Sequence, residues 1–192
     1  VRHMTYHPLM INWQDKIITV IGGGKIAERK IKSYVGSGAR ITVVSPSVTE
    51  DLYQLILEKE VNWKEKHYER IDTEDAFYII AATSNPALNE RIIKNCIQNQ
   101  LSLNVSNHQS SNTMMPAIIK RKNVQIAIST NGASPMLAKK IRDQIRKMIE
   151  AEGLDEEIAN IAKQRRAIIA EEADQQVKEE KLHMITSRFS LE

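Results

Sequence analysis

Gly22, Gly24 and Ala27 stand at the spacing G-x-G-x-x-[GA], where an apolar run, KIITVI, meets a helix-like segment, KIAERK. That pattern serves phosphate chemistry. One glycine lets the chain turn tightly off a strand, a second removes the Cβ that would hold a pyrophosphate away, and a small third residue lets the helix lie against the sheet. Free N–H groups at the helix start then face the anion. Gly22, Gly23, Gly24, Lys25, Ile26 and Ala27 are therefore the candidate cofactor contacts. In dinucleotide-binding folds an acidic residue ending the second strand holds the ribose 2′-hydroxyl, and Ser45 takes that place here. A serine hydroxyl suits a 2′-hydroxyl or a 2′-phosphate, and Arg40 is close in sequence, so NAD and NADP both stay open.

A glycine turn also occurs in α/β proteins that bind no nucleotide, so the flanking elements decide its meaning. Ile17, Ile18, Thr19, Val20 and Ile21 predict a buried strand. Ile26, Ile31, Tyr34 and Val35 fall near helical spacing, Gly36 and Gly38 end that helix, and ARITVVSP predicts the next strand. The order is strand, glycine turn, helix, strand, the opening of a dinucleotide-binding α/β fold. A second helix is predicted in SPSVTEDLYQLILEKE, with Ser47 and Glu50 at capping-box spacing and Leu52, Leu55 and Ile56 on one face. VNWKEKHYER reads as a short polar strand or loop. Phe77 to Ala82 predicts another buried strand, Pro86 suits the first position of the helix after it, and LSLNVSN predicts one more strand. Four or five parallel strands by about residue 107 put ligand beyond their carboxyl ends, where Thr83 and Ser84 join the cofactor candidates.

Beyond residue 107 one apolar strand, NVQIAIST, and one helix after Ser134-Pro135 replace the wound sheet and predict a smaller unit. Residues 154–181 are charge-rich and helix-prone, with a thin stripe of Leu154, Ile158, Ile161 and Ile168. At 192 residues and 21.9 kDa the chain suffices for one α/β domain and a small appendage. A net charge of only +3 gives no general affinity for nucleic acid. The single cysteine, Cys96, lies in a helix-like stretch, excludes an intrachain disulfide and fits a reducing cytoplasm. No apolar run reaches membrane-spanning length, the start lacks a signal-peptide core, and residues 1–4, VRHM, read as an expression remnant. No cluster of His, Cys and carboxylates has metal-ligand spacing, so no resident metal is expected.

Taken together, VIGGGKIAERK, TVVSP, AATSNPALNERI, LNVSN, MMPAIIKR and ISTNGASPMLAKKIR resemble the precorrin-2 dehydrogenase family of siroheme biosynthesis over residues 9 to about 150. The resemblance implies three parts: a Rossmann-like NAD-binding domain at 5–112, a dimerisation and substrate-cleft segment at 113–150 and a helical C-terminal region at 151–192. It also implies a homodimer that oxidises precorrin-2 to sirohydrochlorin with NAD, and in some members insertion of iron. A substrate rimmed with carboxylates gives meaning to Lys120, Arg121, Lys122, Lys139, Lys140, Arg142, Arg146 and Lys147, of which Lys139 and Arg142 lie nearest the ISTNGASP turn. Ser129, Thr130 and Asn131 of that turn map to the family's substrate side, although strand-end hydroxyls also satisfy local backbone. The family's aspartate base maps to Asn107, which holds no ionisable proton. Either His108 takes the proton, or solvent or the substrate's carboxylates do while Asn107 orients the macrocycle, or the chain is a non-catalytic NAD- and tetrapyrrole-binding protein.

Overall fold

Five short strands, the central three carrying β-branched residues, build one parallel sheet: β1 (Ile17–Ile21), β2 (Arg40–Val44), β3 (Asn62–Lys64), β4 (Tyr78–Ala81) and β5 (Leu101–Asn104), in the order β3-β2-β1-β4-β5. The computed structural model describes residues 6–151 and 153–187; the VRHM segment, residue 5 and the last five residues of the expected C-terminal region lie outside the described residues. The helices between the strands are α1 (Lys25–Lys32), α2 (Glu50–Leu57) and α3 (Pro86–Lys94). Side chains alternate across the sheet, so each strand feeds two cores. Ile18, Val20, Val43, Ile80 and Leu103 pack with Ala27 and Ile31 of α1 and Leu52 of α2. Ile21, Val44, Ile79 and Ala81 pack with Ile92 of α3 on the opposite face. Burial on both faces is why β1 and β4 are almost continuously apolar.

A charged knot joins the first two helices. The Glu28 carboxylate accepts hydrogen bonds from Lys32 at 2.8 Å, Thr49 at 2.7 Å and Lys25 at 3.0 Å, while Lys32 also pairs with Asp51 at 2.7 Å. Thr49 is the N-cap of α2 and accepts from the Leu52 N–H, so the cap falls on Thr49 and not on the expected Ser47. Two further expectations shift. Helix α3 stops at Lys94, which leaves Cys96 just beyond it, half-buried, with burial pushing its thiol up to about 11. Ile26 points away from the α1 core and is exposed.

The chain divides between Met115 and Pro116 into two compact units. In the second, β6 (Ala117–Lys120) and β7 (Gln125–Ile128) pair as an antiparallel hairpin where the sequence predicted one strand. The hairpin closes through the Arg121 N–H to the Val124 carbonyl at 2.8 Å; its turn contains no glycine, so the usual hairpin signal is absent. Helices α4 (Pro135–Ala151), α5 (Leu154–Glu171) and α6 (Gln175–Ser187) follow. Ile119, Ile149 and Leu154 form the small core, with Ile158 packed against it, and Arg121 pairs with Glu150 and Asp155 beside it. Among the described residues no helix is long and apolar enough to cross a membrane.

The Glu28 knot sets an acid dependence. Lys32 first, then Thr49 and Lys25, hold its carboxyl down from the usual 4.5 to about 2. A depressed folded-state value means this contribution is present above about pH 4.5 and is lost as the pH falls towards about 2. Glu28→Gln is expected to flatten the decline of Tm across that window, measured by circular dichroism melts between pH 5 and pH 2.

Candidate functional site

Strands β1, β2, β4 and β5 end in one row, because Ile21 pairs with Val44 and with Ala81, and Ala81 pairs with Asn104. Everything one to three residues further on therefore meets at a single rim. Gly22, Ser45, Thr83 and Asn107 all stand there. Gly22 has φ +114°, and its N–H donates to the Val44 carbonyl at 3.0 Å. A Cβ on Gly22 would lie 2.4 Å from the Ala82 carbonyl oxygen, and one on Gly23 would lie 2.0 Å from that of Ser47. Gly24 differs. A Cβ there would meet nothing within 4 Å. Gly24 is also the N-cap of α1 and offers no capping side chain, so the N–H groups of Lys25, Ile26 and Ala27 lack the acceptor that a serine or aspartate would supply. An open space facing unsatisfied donors at a helix start fits a pyrophosphate.

Ser45 is nearly buried between this turn and β3, where its carbonyl accepts from the Trp63 indole N–H at 2.9 Å. Among the described residues its hydroxyl makes no hydrogen bond, which leaves it for a ribose oxygen. Arg40 is not its neighbour. It begins β2, roughly 13 Å down the strand from Val44, and its guanidinium donates to the Asp15 carbonyl at 3.1 Å. The expectation that Arg40 keeps a 2′-phosphate in play is thereby overturned.

The fully buried Asn89 fixes the next stretch of rim. Its Oδ1 accepts from the Thr83 N–H at 3.1 Å and the Thr83 hydroxyl at 2.7 Å, and its Nδ2 donates to the Thr83 carbonyl at 3.1 Å and Ser106 Oγ at 2.6 Å. One amide thus joins the β4 and β5 loops, while Ser84 stands exposed beside them. Beyond β5, the buried Asn104 Oδ1 accepts from the N–H groups of Ser106 and Asn107. Asn107 donates its own amide to Glu90 at 2.8 Å and accepts from the Gln109 N–H at 3.1 Å. Glu90 Oε1 also receives Asn104 at 3.1 Å and Ser110 at 3.2 Å. His108 is exposed at the start of a short 3-10 turn, His108–Ser110.

In the second unit Ser129, Thr130 and Asn131 of the predicted substrate residues share the turn between β7 and α4, and Lys139 and Arg142 lie on α4. Asn131 (φ 51°) and Gly132 (φ 83°) make that turn in the left-handed region. The Thr130 hydroxyl is spent on it, accepting from the Ser134 N–H and donating to the Ser134 carbonyl, both at 3.0 Å. Ser129 Oγ accepts from the Asn131 N–H at 3.0 Å. Lys139 is exposed, whereas Arg142 is engaged by the carboxylate of Asp143 at 2.8 Å.

A family model described as NAD(P)-binding matches residues 9–117, and one described as sirohaem biosynthesis protein central matches residues 121–148. The precorrin-2 dehydrogenase of Bacillus subtilis (strain 168) is 38% identical over 145 residues, which are 76% of this chain and 90% of that one. The chain belongs to the precorrin-2 dehydrogenase family. A second relative, the precorrin-2 dehydrogenase of Priestia megaterium, is 32% identical over 72% of this chain and 69% of its own. The structure of SirC, precorrin-2 dehydrogenase, superposes with a TM-score of 0.84 at 29% identity, covering 97% of this chain and 94% of that one. The siroheme synthase of Baumannia cicadellinicola subsp. Homalodisca coagulata is 34% identical, but the match spans only 31% of its length. Within this family frame, sequence reasoning missed Asn89, Glu90 and the tight packing of Gly23. Adjacent polar residues, Asn89-Glu90, on a helix that must face a buried sheet were the available signal for the first two.

Two substitutions separate fold from binding here. Gly24→Asp places a carboxylate in open space at an N-cap, so Tm is expected to hold while NAD binds at least tenfold more weakly by calorimetric titration. Asn107→Asp sets a second carboxylate against Glu90, and the pair is expected to retain one proton above the usual carboxylate range. A raised folded-state value makes the variant most stable in acid. Its Tm relative to the wild-type chain is expected to fall as pH rises from 5 to 8.

Proposed function

We propose that the chain oxidises precorrin-2 to sirohydrochlorin with NAD, as a cytoplasmic homodimer. The observation that carries this reading is the Gly22–Gly24 cradle, shut to side chains on two sides and open at Gly24, in a chain 38% identical to a precorrin-2 dehydrogenase. The reaction removes two hydrogens from the macrocycle, one as hydride and one as a proton. NAD, when bound, supplies the hydride acceptor.

The chain's own residues hold and orient. Gly22, Gly23, Gly24, Lys25, Ile26 and Ala27 receive the pyrophosphate through backbone N–H groups, and Ser45 takes the adenosine ribose. Thr83 and Ser84 line the cofactor's path along the rim, with Asn89 fixing the first of them. Asn107 is held by Glu90 and acts by orientation. His108 presents an exposed imidazole at this rim and serves as the proton acceptor. Ser129, Thr130, Asn131, Lys139 and Arg142 serve the macrocycle's carboxylates. The reducing compartment is supported by a single free cysteine, and the dimer by residues 113–150, where Ile118, Met136 and Leu137 are exposed.

The test is anaerobic incubation of the purified chain with enzymatically made precorrin-2 and NAD, with NADP in parallel and with or without ferrous iron, followed by absorbance. NAD-dependent sirohydrochlorin formation is expected. The iron arm reads any chelation, and an absence of turnover with both ligands bound would make this a binding protein that has lost its family's chemistry.

A further inference from the structure

Helix α1 carries four cationic side chains, Lys25, Arg29, Lys30 and Lys32, and the structure treats them in two ways. Lys25 and Lys32 are answered by Glu28 and Asp51. Arg29 and Lys30 make no ion pair among the described residues, yet both line a pocket with His108, floored by the apolar Ile26, Leu103 and Val105. Lys30 is half-buried. Burial first, and the neighbouring Arg29 charge second, push its ammonium below the usual value. Lys30, drawn partly out of water beside the exposed Arg29 and without a counter-charge among the described residues, is a standing cost that an anion would relieve.

The size of the pocket narrows the anion. Its volume is about 160 Å³, whereas a site that encloses a whole cofactor or drug-sized ligand occupies roughly 300–1,000 Å³. A carboxylate arm fits and a tetrapyrrole ring does not. The position narrows it further, because Leu103 and Val105 lead into the rim at Asn107 and His108, on the α1 face of the sheet.

We infer that Arg29 and Lys30 form a subsite for one acetate or propionate arm of the macrocycle, seating the ring beside His108. This rests on the precorrin-2 reading. Arg29 supplies a planar fork for the two carboxylate oxygens and Lys30 a point charge, and these are the two α1 cations that Glu28 and Asp51 do not already hold. Seating one arm here fixes the ring's rotation about its own centre, which the rim alone does not.

The test measures the dissociation constant of sirohydrochlorin by anaerobic tryptophan quenching for the wild-type chain, Arg29→Gln, Lys30→Gln and the double variant, with NAD affinity and Tm followed in parallel. Each single change is expected to weaken sirohydrochlorin roughly ten- to hundredfold, with NAD affinity and Tm unchanged, and Arg29→Lys to recover part of the loss. Equal sirohydrochlorin affinity in the double variant would overturn the subsite while leaving the functional reading standing. Loss of NAD affinity in place of sirohydrochlorin affinity would also overturn it, by assigning the cations to the nucleotide. A wild-type chain that binds NAD but no sirohydrochlorin would sink the functional reading itself, and this subsite with it.

Discussion

Backbone meets backbone at the end of β1 with no room for a side chain, and the rest of the rim is arranged around that contact. Gly22 is closed in by the Ala82 carbonyl and Gly23 by the Ser47 carbonyl, so the glycine turn is gripped between the β4 loop and the β2 loop. Either contact would force a Cβ into an oxygen at well under van der Waals distance. Because three loops touch through main chain alone, their spacing cannot drift with side-chain rotamers. The rim is stiff where a nucleotide would lie and becomes side-chain-built only further along, at Asn89 and Asn104.

That change of material follows from where the helices lie. On the α1 face the strand ends are sealed by Val20, Ala27 and Leu103, all apolar. On the α3 face, β5 turns polar at Ser102 and Asn104, both buried; Ser102 is met through its main chain by Asn112 and Thr113, and Asn104 by Ser111, Glu90, Ser110 and the N–H groups of Ser106 and Asn107. Leaving one such group unpaired costs about 1–3 kcal/mol. The loop bearing Asn107 is therefore held by a network whose members are each committed, and the chemistry of that loop is decided as much by Glu90 as by residue 107.

Local signals made the first unit readable. Ile17–Ile21 is a strand because five β-branched or apolar residues precede a forced turn, and Pro86 opens α3 because its missing N–H is not needed there. What stayed hidden depends on partners distant in sequence. Gly23 looks like a spacer until Ser47 arrives against it, Thr49 outcompetes Ser47 as a cap because Glu28 reaches it from another helix, and Arg142 is quieted by Asp143. The β6–β7 hairpin escaped notice because its Arg121–Val124 turn has Asn123 but no glycine beside it, so the Asn-Gly pair that usually marks one is missing. For the candidate site, the glycine turn and Thr83 could be placed from spacing alone, whereas the pairing of Asn107 with Glu90 required the fold.

Helix α1 begins on a glycine with no side-chain cap, and it also carries Glu28 of the inter-helix knot and Ile31 of the core. Under the proposed cofactor placement, a bound phosphate would then in effect be the missing cap of the helix. A chain built this way borrows part of its folding free energy from its ligand, by the logarithm of ligand concentration over dissociation constant. Its lifetime in a cell would follow the nucleotide pool, so that the enzyme persists where its cofactor is plentiful and is cleared where it is not.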